Sequence, residues 1–152
     1  MCEHCGCRQF PAISRLNEDH LQIHETSGRL RRAIRAGDDD AARRWLSELT
    51  DLMGPHLATE EAGLFAELRG DETAREVVER LCDDHDELAA ALRQPDGDQP
   101  DWRPVLAGLD KLRDHIDKEE YGLFPAAVIL LSMPAWERIT AAVPDRERPA
   151  QA

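Results

Sequence analysis

The ten residues "HLATEEAGLF" at 56–65 recur as "HIDKEEYGLF" at 115–124, with His, Glu, Glu, Gly, Leu and Phe at the same offsets. A phrase written twice implies two matched segments, and its polar letters fix what kind they are. A helix turns about 100° per residue, so a histidine and a glutamate four apart lie within about 40° of each other, one turn along the same face. His56 with Glu60, and His115 with Glu119, are therefore predicted to reach one point inside the molecule. The second glutamates, Glu61 and Glu120, are turned about 140° from their histidines and are expected to face solvent or to lie behind the inward pair. Gly63 and Gly122, about one turn further on, leave room for helices to close around the site.

The rest of the chain carries the same helical period. Leu16, His20, Ile23 with His24, Ser27, Leu30 and Ile34 form one stripe, stopped by Gly37. Asp38 to Asp40 offer N-caps for a second helix with Trp45, Leu49, Leu52, His56, Glu60 and Gly63 inward. A third helix is predicted over about 72–93, with Val78, Leu81, His85, Leu88 and Leu92 on one side. "QPDGDQPD" at 94–101 is a loop by its Pro, Gly and Asp content. A fourth helix starts near Trp102 and carries Leu109, Leu112, His115, Glu119 and Gly122 inward, and Pro125 is expected to bend or end it. Ser132 caps a short fifth helix, "MPAWERITAAV". The fold class this predicts is all-α, an antiparallel up-down four-helix bundle with a short C-terminal fifth helix. The expected organisation is a Cys-rich head at 1–12, the bundle at 13–143 and a disordered tail at 144–152.

Composition narrows the functional classes. A formal charge of −12 over 152 residues speaks against nucleic acid or an anionic membrane as a partner. The one basic cluster, "RLRRAIR" at 29–35, reads as a solvated helix end. No apolar run approaches the length of a membrane span, and the first residues lack the pattern of a secretion signal. The expected location is the cytoplasm, where thiols stay reduced.

Each of the four long helices projects a histidine from its apolar stripe: His20, His56, His85 and His115. A lone histidine on such a face is normally a hydrogen-bonded core residue. Four of them beside two carboxylates would cost several kcal/mol per unpaired buried ion, and bound metal offsets that cost. The zinc-protease pattern is absent, because Leu21 stands where "HLQIH" would need Glu. The Glu-x-x-His of ferritin-type bundles is absent too. A histidine-rich, carboxylate-bridged pair of metals remains.

With His20, "HLATEEAGLF", His85 and "HIDKEEYGLFP" in place between residues 20 and 125, the chain resembles the hemerythrin-like family, the HHE cation-binding domains. The resemblance implies a four-helix bundle holding two iron ions, oxo- or hydroxo-bridged, with two bridging carboxylates and terminal histidines. Carried over by position, the ligands are His20, His56, Glu60, His85, His115 and Glu119. Oxygen-carrying members place the second carboxylate five after its histidine, which would select Glu120; helix geometry favours Glu119. Those members also take a fifth histidine from four residues after the one on helix three, where this chain has Ala89. His24 stands four after His20 instead. If the two hairpins are related by a pseudo-twofold axis, His24 takes that place, either as a fifth ligand or as a surface residue.

The head crowds Cys2, His4, Cys5 and Cys7 into six residues, and three readings stand: a second metal site, with zinc as its ion, a redox pair, or a reduced tail. At family level the di-iron reading implies a small diatomic ligand or peroxide as partner, namely O2, peroxide or nitric oxide bound for sensing, storage or scavenging. An enzyme that disproportionates peroxide or reduces nitric oxide, and an iron or redox sensor that folds around its metal, are the alternatives.

Overall fold

The computed structural model describes Gly6 and residues 9–143. The head residues Cys2, His4, Cys5 and Cys7 and the tail at 144–152 lie outside the described residues.

Helix α1 is Pro11–Arg35. It begins at a proline, which is tolerated in a first turn whose N–H groups have no helical partner. Gly37 ends it at φ +70°, which lets the Asp38 N–H return to the Ala33 carbonyl at 3.1 Å. The Asp38 carboxylate then accepts from the Ala41 N–H at 2.9 Å and caps helix α2. Helix α2 covers 39–68: α-helical over Asp39–Glu60, π-helical over Glu61–Phe65, and α-helical again over Ala66–Leu68. Helix α3 is Arg75–Ala91. Helix α4 covers 103–130 in the same three-part form, Arg103–Lys118, a π-helical turn at Glu119–Leu123, and Phe124–Leu130. Helix α5 is Met133–Ala142, and the Ser132 hydroxyl caps it. The fold is the expected helical bundle with a short C-terminal helix, and no described residue is in a strand.

Pro125 neither ends nor visibly interrupts α4. Within the π-helical turn the Phe124 N–H reaches back five residues to the Glu119 carbonyl. The ladder has already shifted register where the proline removes a donor, so the helix runs on to Leu130. Trp45 also departs from expectation. It is half-buried beneath the Arg29 guanidinium, 4.9 Å from its ring centre, and Leu46 takes the core position instead.

The apolar core falls into two clusters. One gathers Ile13, Leu16, Leu64, Phe65, Leu81, Leu123 and Phe124 with Trp136 and Ile139 of α5. The other holds Ile23, Leu30, Leu46, Leu49, Leu88, Leu109, Leu112 and Ile116. Along each long helix the boundary between the two falls at a histidine: Leu16 and Ile23 flank His20, Met53 and Leu64 flank His56 and Glu60, Leu81 and Leu88 flank His85, and Leu112 and Leu123 flank His115 and Glu119. A polar layer thus cuts the core in two. No helix of the described residues is long and apolar enough to cross a membrane.

Leu49 is fully buried and Leu21 is 56% exposed. Chemical denaturation of Leu49→Ala is expected to show a loss of about 2–5 kcal/mol, and that of Leu21→Ala a change within about 0.5 kcal/mol.

Candidate metal centre

The polar layer contains His20 on α1, His56 and Glu60 on α2, His85 on α3, and His115 and Glu119 on α4, none more than 4% exposed. Their donor atoms form two groups: His20, His56, Glu60 and Glu119 in one, and His85, His115, Glu60 and Glu119 in the other, with every ligand atom of a group within 4.8 Å of the rest. The two glutamates belong to both groups and bridge them. Glu60 Oε1 lies 3.0 Å from His56 Nε2 and 3.7 Å from His20 Nε2, while its Oε2 lies 3.3 Å from His85 Nε2. Glu119 Oε1 lies 3.1 Å from His115 Nε2, and its Oε2 lies 3.2 Å from His20 Nε2.

These contacts are short, yet none of the four glutamate oxygens accepts a properly directed hydrogen bond. The imidazoles show the reason. His20 Nε2 and His56 Nε2 stand 3.1 Å apart, and so do His85 Nε2 and His115 Nε2. Each imidazole turns its other nitrogen, Nδ1, outward to a carboxylate. His20 Nδ1 donates to Glu120 at 2.9 Å, His85 Nδ1 to Glu61 at 2.7 Å, His56 Nδ1 to Asp19 at 3.3 Å, and His115 Nδ1 to Asp84 at 3.4 Å. An ionised carboxylate only accepts, so Nδ1 carries the proton and the Nε2 lone pair faces inward. Four lone pairs and four unpartnered carboxylate oxygens converge in a dry interior. That donor set fits cations, and imidazole with carboxylate suits Fe, Zn, Mn or Co.

Electrostatics report the same preference for positive charge as an appetite for protons. Burial acts to lower the His20 imidazole, but the close carboxylates of Glu119, Glu120 and Glu60 overcome it and raise it to about 11. Burial likewise works against His56, and the charge of Glu60 and the bond to Asp19 lift it to about 9. His85 is raised against burial by Glu60 and Glu61. Burial pushes Glu60 up, but His56, His20 and His85 hold it well below the usual carboxylate range. Asp84, whose burial also opposes ionisation, is drawn to about 2 by Lys111, Lys118 and His115. Cations entering such a layer displace protons.

Two orienting pairs, Asp19 with His56 and Asp84 with His115, were not picked out from the sequence. The signal was present in "NEDH" and "CDDH", where an aspartate directly precedes each histidine. One residue back on a helix points about 100° away, toward the neighbouring helix of the same hairpin. Glu120 lies behind His20 with little exposure, whereas Glu61 is exposed and bonds His85 from the surface, and each serves the opposite hairpin. The phenylalanines that end the repeated phrase do likewise: Phe65 stacks on His85 with ring centres 5.4 Å apart, and Phe124 on His20 at 5.9 Å.

His24 is not brought into either donor group. It is exposed and lines a surface cleft with Ser27, Arg31, Asp110 and Arg113. Burial and the nearby His20 depress its imidazole. Glu119, not Glu120, is the one common to both donor groups, and Glu120 bonds His20. Gly63 does admit a close helix, since a Cβ there would stand 3.5 Å from Ile139 Cγ2 of α5, whereas nothing lies within 4 Å of the same point at Gly122.

The fold and the layer together define a helical bundle built to bind cations between two matched hairpins. Residues 12–127 match the family model described as the hemerythrin HHE cation-binding domain, and the chain belongs to that family. No curated protein and no solved structure matches it to a comparable standard.

The shifts also set the pH profile of chelator-treated protein. His20 and His56 are raised, so their contribution is complete below about 6.5 and is lost as pH climbs toward their folded values. Glu60 is depressed, so its contribution is present above about 4.5 and is lost in acid. Thermal unfolding against pH is expected to peak between those limits and to decline through the alkaline range. A profile still rising above pH 8 would contradict it.

Proposed function

We propose that the layer holds two iron ions bridged by Glu60 and Glu119, with His20 and His56 terminal on one and His85 and His115 on the other, and that it reversibly takes a small diatomic ligand or peroxide for sensing, storage or scavenging. One observation carries the reading: two dry pairs of imidazoles share both oxygens of two carboxylates that nothing else satisfies. When bound, iron supplies a redox-active Lewis acid able to take O2, peroxide or nitric oxide.

The chain's own residues do the rest. The Nδ1 bonds to Asp19, Glu61, Asp84 and Glu120 fix each ring's tautomer and orientation and make its Nε2 more basic. Phe65 and Phe124 wall the histidines of α3 and α1 with apolar surface. Burial of all six ligands leaves no room for a bulky substrate and favours a ligand of two or three atoms. His24, on the surface one turn from His20, has no place among these ligands.

Metal analysis of protein grown in iron-rich medium is expected to give about two irons per chain, with near-ultraviolet bands that respond to O2, peroxide or nitric oxide. Glu60→Ala is expected to lose most of the metal, because it removes one oxygen from each ion, while His24→Ala keeps both metal and spectrum. Zinc or no metal in wild-type protein would defeat the proposal. Sustained O2 evolution from peroxide by the pure iron form would assign turnover in place of reversible binding.

A further inference from the structure

The repeat relates the two hairpins by position. His20 corresponds to His85 and His56 to His115, so α1 maps onto α3 and α2 onto α4. Under that mapping Ala12 corresponds to Val77, Leu16 to Leu81, Gly63 to Gly122 and Glu67 to Ala126. On the first hairpin these positions form the seat of α5. Ile139 and Ala142 lie against Gly63, Trp136 packs in the cluster that holds Ala12 and Leu16, and the Arg138 guanidinium grips the Glu67 carboxylate through bonds of 2.7 and 2.9 Å.

Among the described residues, the corresponding seat on the second hairpin is open. It is a groove of about 680 Å³ lined by Val77, Leu81, Tyr121, Gly122, Ala126 and Leu130. Ala12 is 4% exposed under α5, and its counterpart Val77 is 40% exposed. Tyr121 is 57% exposed and Leu130 39%, and Ile129, at 84%, adjoins Leu130 in the chain. Large exposed apolar side chains concentrated along one groove mark an interaction surface.

We propose that this groove is the docking seat for one amphipathic helix of a partner protein, of the same build as α5 but apolar where α5 carries Arg138. The helical form follows from the related seat, which a helix fills in this same chain. The apolar preference follows from Ala126, which stands where Glu67 would receive the arginine. A second copy of this chain is a poor occupant: its α5 is already held in its own seat, and each copy carries a net charge of −12.

The test uses the full metal-loaded chain and two synthetic peptides of residues 132–143, one of natural sequence and one with Arg138→Leu. Both are stapled between positions 137 and 141, on the face that points away from the seat in this chain, so that helix formation is not the variable. Fluorescence anisotropy is expected to show binding of the Leu peptide near about 0.1 mM, with the natural peptide about fivefold weaker. Val77→Asp in the chain is expected to abolish both, while circular dichroism and metal content stay as in wild type. Absence of binding at tenfold higher concentration, or binding that survives Val77→Asp, would overturn the proposal. So would a dimer in sedimentation that Val77→Asp dissociates, since a second copy would then be the occupant.

Discussion

Four imidazoles and two carboxylates lie at the centre of the bundle where an ordinary core would be continuous, and the structure is organised around making that placement affordable. Removing a carboxylate from water costs several kcal/mol even after relaxation, and the pair Glu60 and Glu119 is fully buried. Neighbouring imidazoles that stay neutral would not compensate. The raised His20 and His56 show that the layer otherwise collects protons, so positive charge is needed there in one form or another. Cations answer the need better because each can meet two carboxylate oxygens and two nitrogen lone pairs at once. That explains why the hydrophobic clusters stand on either side of the layer: they hold the helices at the spacing the donors require without contributing chemistry.

The orienting carboxylates turn this layer into a closed ring. Asp19 on α1 holds His56 on α2, Glu61 on α2 holds His85 on α3, Asp84 on α3 holds His115 on α4, and Glu120 on α4 holds His20 on α1. Every helix therefore fixes a ligand of the next, and no ligand is fixed by its own helix alone. The π-helical turns belong to this design. Each begins at or just after a glutamate shared by both donor groups, and each widens the helix where two consecutive glutamates serve different purposes, one toward the polar layer and one toward the opposite hairpin. An uninterrupted α-helix would have to compromise between those directions.

Periodicity made the bundle legible from sequence, because histidines and leucines shared one stripe on each long helix. Of the six candidate ligands, His56, Glu60, His115 and Glu119 were legible because the phrase is repeated, and His20 and His85 because each stands on an apolar stripe. What escaped was whatever depends on which helix sits beside which. Asp19 and Asp84 could be seen to precede histidines, but their partners lie on other helices. The π-helical turns leave no distinct pattern in "EEAGLF" or "EEYGLF", and without them Pro125 reads as a terminator. At His24 the spacing of four from His20 allowed either a ligand or a surface residue, and its side chain is exposed and outside both donor groups.

The symmetry between the hairpins is strict where chemistry demands it and lapses elsewhere. Within the layer, imidazole, shared carboxylate, orienting carboxylate and stacked phenylalanine all occur in matched pairs, so each half offers a cation the same donors. One turn away the halves diverge. Lys111 and Lys118 both bind Asp84 at 2.8 and 3.0 Å, and positions matched to them by the repeat are Leu52 and Thr59, which cannot do the same for Asp19. The carboxylate behind His115 is thus partly neutralised by two ammonium groups and donates less electron density to its ring than a bare carboxylate would. That pair of ammonium groups sits behind the candidate ligands and not among them, so the donor set itself stays symmetric.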